Sequence, residues 1–96
     1  MTSRSQKPVA RPPGFVYRET KRGIFRRRGP FVLHCEDVAL PKLAERHGTP
    51  LYVYSASTIR ERYDAFDTAF HGQPHTICYS VKANSNLTIL RMLARK

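Results

Sequence analysis

The chain has 96 residues, 41% of them hydrophobic and 25% charged, with a formal net charge of +10. That balance fits a globular protein with room for one modest core, and it excludes wholesale disorder and the fibrous classes. No apolar run approaches the roughly 18 residues needed to cross a bilayer, and no secretory signal block opens the chain, so a cytoplasmic protein is expected.

Residues 1–14 carry Pro8, Pro12, Pro13 and Gly14 with little apolar content, and are expected to form a disordered basic tail. The charge is unevenly spread. Residues 1–30 hold nine Lys/Arg against Glu19 alone, a net of +8, while residues 31–96 hold eight against six acids, a net of +2. A basic arm can bind phosphate backbones by counterion release, and Arg26, Arg27 and Arg28 beside Phe25 and Phe31 are its best patch. A solvated tail accounts for the same charge and is favoured over nucleic-acid binding.

FVYRE (15–19) and FVLHC (31–35) read as extended, the second entered through Gly29-Pro30. Two such strands cannot make a stable sheet alone, so residues 15–35 are expected to contribute strands to a larger β structure. A short helix follows, with Pro41 at its start, Leu40, Leu43, Ala44 and His47 on one side, and Gly48 as its stop. LYVY (51–54) reads as a strand. Ser55, Ser57 and Thr58 offer caps for the next helix, Thr58 and Glu61 having capping-box spacing. Ile59, Tyr63, Phe66 and Phe70 recur as one helical face and read as core.

TICYSVK (76–82) alternates, with Ile77, Tyr79 and Val81 on one face and Cys78, Ser80 and Lys82 on the other. Asn84, Ser85 or Asn86 can cap a following helix through Leu87, Leu90, Leu93 and Ala94. Strand, helix, strand, helix in this order predicts an α/β fold with a parallel sheet. A parallel barrel of that kind needs about 250 residues, so residues 36–96 would be only its opening part, in a truncated chain. Cys35 and Cys78 lack metal-ligand spacing and are expected as free thiols. The histidines at 34, 47, 71 and 75 stand singly, so no metal site is expected.

Lys82 is the residue of chemical interest. At the C-terminal end of a parallel strand it would project where α/β enzymes build their sites, and a deprotonated ε-amine there can form a Schiff base with an aldehyde. The small side chains of Cys78 and Ser80 would leave space for a planar ring. From position alone, a solvent-facing strand terminus is the better account, because exposed lysines are the rule. Tyr79 alternates away from Lys82 and reads as packing.

The stretch CYSVKANSN followed by LTILRMLA resembles the cofactor-lysine segment of the pyridoxal-phosphate diaminopimelate decarboxylases, and HGTPLYVYSASTIRERYDAF resembles the segment that precedes it. The resemblance runs from about Phe31 to Lys96. It implies a (β/α)8 TIM barrel binding pyridoxal 5'-phosphate, with the N-terminal strands joining a separate β-rich domain, and a homodimer that completes each site. Lys82 matches the lysine that holds the cofactor covalently, and Ser80 matches a position, usually Ala, that lies against it. The implied reaction is decarboxylation of meso-2,6-diaminoheptanedioate to L-lysine and CO2, the last step of lysine biosynthesis. The rest of the site would lie after Lys96, so the 96 residues alone are expected to be inactive. Ornithine or arginine decarboxylases share the strand-end lysine and remain the alternative, as does a small nucleic-acid-binding protein.

Overall fold

The computed structural model describes residues 10–22 and 27–96. The basic tail over residues 1–9 lies outside the described residues, as do the side chains of Arg26, Arg27 and Arg28. The chain divides into two units, Met1–Tyr54 and Ser55–Lys96.

In the first unit, β1 (Phe15–Arg22) and β2 (Arg27–Cys35) pair antiparallel, Phe15 facing Cys35 and Glu19 facing Phe31. The strands expected at 15–19 and 31–35 lie inside them. The register slips between Glu19 and Lys21, because Lys21 pairs with Arg28. Pro30 sits at that slip. It has no N–H to give to a ladder, so a bulge is the least costly way to pass it. The Thr20 hydroxyl donates to the Pro30 carbonyl at 2.9 Å and satisfies that acceptor. A tight turn at Glu36, left-handed at φ 53, brings β3 (Val38–Ala39) against the end of β2. The Glu36 N–H donates to the Gly14 carbonyl at 2.8 Å, which ties the turn to the entry of β1.

Helix α1 (Leu40–His47) follows as expected, with proline in its first turn. Gly48 ends it at φ 79, its N–H donating to the Ala44 carbonyl at 2.8 Å; a Cβ there would be strained by the left-handed backbone.

The second unit contains α2 (Ala56–Ala69) and α3 (Leu87–Ala94). Ser55, not Thr58, is the N-cap of α2. Its Oγ accepts from the Thr58 N–H at 3.2 Å and donates to Thr58 Oγ1 at 2.9 Å, so Thr58 lies one turn inside the helix. Asn86 caps α3, its Oδ1 accepting from the N–H groups of Thr88 at 2.9 Å and Ile89 at 3.4 Å.

The expected strand, helix, strand, helix order is corrected. Residues 51–55 and 74–80 belong to neither helix nor strand, and the sheet of the described residues is antiparallel, in the order β1-β2-β3. Residues 81–83 form a single 3₁₀ turn, so Lys82 sits in a turn and not at a strand end. The physical reason is that a strand is completed by its neighbours. Alternating side chains specify which face a sheet would bury, but the backbone N–H and C=O groups need a ladder partner. The aromatic stripe of α2 also differs from a core face, since Phe66 is 54% and Phe70 43% exposed. Among the described residues the buried apolar side chains are Cys35 and Ile89. No described helix is long and apolar enough to cross a membrane.

Candidate functional site

The segment 74–86 links the end of α2 to the start of α3 and carries every residue singled out for chemistry. Helix α2 ends at Ala69, Gly72 turns the chain in the left-handed region at φ 82, and residues 74–80 then run without helix or strand to Ser80, which is extended at φ −75 and ψ 96. The Ala83 N–H then donates to the Ser80 carbonyl at 3.0 Å, closing the turn Val81–Ala83 around Lys82. Asn84 returns to extended geometry, and its Oδ1 accepts from the Asn86 N–H at 3.0 Å. This is an Asx-type bond that aims the chain into α3.

Lys82 and Ser80 are both exposed, two residues apart. Among the described residues none forms a hydrogen bond or ion pair with the Lys82 amine. Cys78 is exposed and a free thiol. Cys35 is also free but buried; burial, and then the charge of Glu36, push its thiol pKa up, which makes it a poor nucleophile.

One side of the segment faces an apolar groove of about 800 Å³, with Tyr63 and Phe66 from α2, Leu90 and Leu93 from α3, and Ile77 and Tyr79 between them. Cys78 and Ser80 line it too, so the expected separation of two strand faces is not kept. Lys82 does not line it. Two features have no signal in the sequence pattern. The Tyr79 hydroxyl donates to the Asn84 carbonyl at 2.8 Å, spanning the turn that holds Lys82. And His75, which stands singly in the sequence, is bound at both ring nitrogens, Nδ1 to the Gln73 carbonyl at 2.8 Å and Nε2 to Asp67 Oδ1 at 2.7 Å. Its ring also lies 5.6 Å from that of Phe70.

Two acceptors at one imidazole require a proton on each nitrogen. Accordingly the Gln73 carbonyl first, and Asp67 next, raise the His75 pKa above its ordinary value, with desolvation working against them. A raised folded-state value stabilises the fold below the ordinary histidine pKa of about 6.5, and that contribution is lost as pH climbs through the raised value. A proton NMR titration should find His75 above its ordinary value in the native protein, and Asp67→Asn should lower it. A titration that Asp67→Asn leaves unchanged would remove the carboxylate from the account. Among the described residues no group of three or more His, Cys, Asp or Glu could hold a metal ion.

Compared with curated proteins, the chain is similar to diaminopimelate decarboxylases. It is 54% identical over 63 residues to that of Pseudomonas aeruginosa and 54% identical over 63 residues to that of Vibrio cholerae. It is 48% identical over 63 residues to that of Haemophilus influenzae. Each match takes in 66% of this chain and 15% of the relative, so the chain spans a small part of the length of the curated relatives it matches. No family model matches the chain, and no solved structure matches it. The resemblance read from CYSVKANSN and HGTPLYVYS therefore holds against several relatives.

Proposed function

We propose that this chain is the N-terminal piece of a pyridoxal 5'-phosphate-dependent diaminopimelate decarboxylase, and that the complete protein converts meso-2,6-diaminoheptanedioate to L-lysine and CO2. The observation that carries this reading is identity of 48% to 54%, sustained over 66% of the chain, to relatives bearing that name. In it, residues 15–35 serve a β-rich domain, residues 36–96 open a (β/α)8 barrel once further strands supply the missing ladder, and the enzyme works as a cytoplasmic homodimer.

The residues of the turn fit one end of the cofactor. Lys82 offers an exposed primary amine with no competing ion pair among the described residues, and Ser80 offers an exposed hydroxyl on the same turn. When bound, the cofactor supplies an aldehyde that an amine can capture and a protonated pyridine ring that takes up electrons as CO2 leaves the α-carbon. Lys82 is the covalent anchor. Its Nζ would need to be unprotonated to join a carbonyl carbon, and would take up a proton again on leaving it. Ser80 Oγ can donate or accept one hydrogen bond beside it, where an alanine could do neither. The phosphate and the ring nitrogen are held by residues outside this chain.

Reduction with borohydride tests the anchor. In the complete protein loaded with pyridoxal phosphate, peptide mapping should find the reduced adduct on Lys82. An adduct on another lysine overturns the reading, and turnover of ornithine but not of diaminoheptanedioate overturns the substrate.

A further inference from the structure

We infer that Tyr79 is a positioning residue for Lys82, its hydroxyl holding closed the turn from which the amine projects. This rests on the reading of Lys82 as the cofactor lysine. Three hydrogen bonds shape the segment. The Ala83 N–H to Ser80 carbonyl bond, at 3.0 Å, makes the turn itself. The Asn86 N–H to Asn84 Oδ1 bond, also 3.0 Å, joins it to α3. The Tyr79 O–H to Asn84 carbonyl bond, at 2.8 Å, is the side-chain bond that spans the whole turn, since it links a residue three positions before the lysine to one two positions after it.

The bracket matters because no hydrogen bond or ion pair among the described residues holds the amine itself, so its place depends on how the turn is held. Lys82 is exposed, and neither residues 74–80 nor residues 84–86 lie in a helix or strand. A lysine side chain has four rotatable bonds, so where its nitrogen can reach is set first by where its Cα is held. Misplacement by about 1 Å at a reacting group is costly for rate even when the fold is intact.

Tyrosine suits this task through its two ends. Tyr79 lines the groove together with Tyr63 of α2 and Leu90 of α3 and remains 40% exposed. Its hydroxyl meets an acceptor that no helix uses, because Asn84 is extended at φ −161 and ψ 112. Packing alone explains the ring but not the hydroxyl; phenylalanine would pack as well.

The test is Tyr79→Phe in the complete protein, with Tyr79→Leu as the packing control. A neutral hydrogen bond is worth a factor of about five in a local equilibrium. Tyr79→Phe should therefore speed amide exchange at residues 82–86 of the cofactor-free protein about fivefold, and leave the thermal midpoint within about 2 °C. In the loaded enzyme it should lower kcat about five- to tenfold with KM within about twofold. Tyr79→Leu should show the same exchange change and, in addition, a lower thermal midpoint. Wild-type exchange and kcat in Tyr79→Phe, with losses confined to Tyr79→Leu, would make Tyr79 a packing residue and overturn the inference. A borohydride adduct absent from Lys82 in the wild type would instead overturn the assignment of the lysine, and this inference with it.

Discussion

Lys82→Ala in the complete protein is expected to lower decarboxylation of meso-2,6-diaminoheptanedioate by at least about a thousandfold, some 4 kcal/mol of barrier, with little change in stability. The two halves of that expectation have different origins. Stability should hold within about 0.5 kcal/mol because Lys82 is exposed and has no ion-pair partner among the described residues, so truncation leaves no cavity and no orphaned charge. Activity should collapse because alanine has no amine to form the covalent bond, and the other lysine of the same unit, Lys96, is paired with Asp64 at 2.5 Å. Lys82→Arg separates charge from nucleophilicity. Arginine keeps the positive charge but cannot lose its proton at working pH, so it should be as inactive as alanine. If either variant keeps activity within tenfold of wild type, Lys82 is not the anchor.

The helices of this chain were legible because their signals are local. Pro41 and Gly48 bracket α1 within one short stretch, and the start of α3 is narrowed to Asn84, Ser85 or Asn86 before the leucines, of which Asn86 is the cap. The choice of Ser55 over Thr58 was not legible, since three hydroxyls in four residues satisfy the same spacing. What decides between them is which one is buried, and Ser55 is 5% exposed. Strands failed for a different reason. Residues 15–19 and 31–35 pair with each other as antiparallel strands, whereas 51–54 and 76–82 have no partner within the sheet of the described residues. Alternation records a demand for a ladder without supplying one. The same limit hid the surroundings of Lys82. The residue type and its neighbours in CYSVKANSN were enough to single it out, but the bond from Tyr79 to Asn84 and the clasp of His75 on Asp67 depend on turns that spacing does not specify.

Residues 1–96 prepared by themselves should have less than about 3 kcal/mol of stability, against the roughly 5–15 kcal/mol of an ordinary domain. Ordering the chain costs about 1–2 kcal/mol for each residue, while a fully buried aliphatic side chain returns only about 1.5–3 kcal/mol. Among the described residues, Cys35 and Ile89 are the buried apolar side chains. Apolar surface is not scarce; it is uncovered. Phe31 is 67%, Tyr52 85% and Leu87 64% exposed, and the groove between α2 and α3 stays open along Tyr63 and Phe66. Local hydrogen bonds can hold the β1–β2 hairpin and the two capped helices part of the time, but a hairpin and short helices are marginal without a second layer. Amide exchange should thus show weak protection throughout, and a dye that binds exposed apolar surface should fluoresce with the isolated chain and not with the complete protein. A cooperative denaturant transition worth more than about 5 kcal/mol would refute this. The consequence reaches the site: the loop of Lys82 is anchored on α3 at Asn86, so a helix that frays cannot hold the amine in one place, and the isolated chain should acquire the borohydride adduct at Lys82 far more slowly than the complete protein.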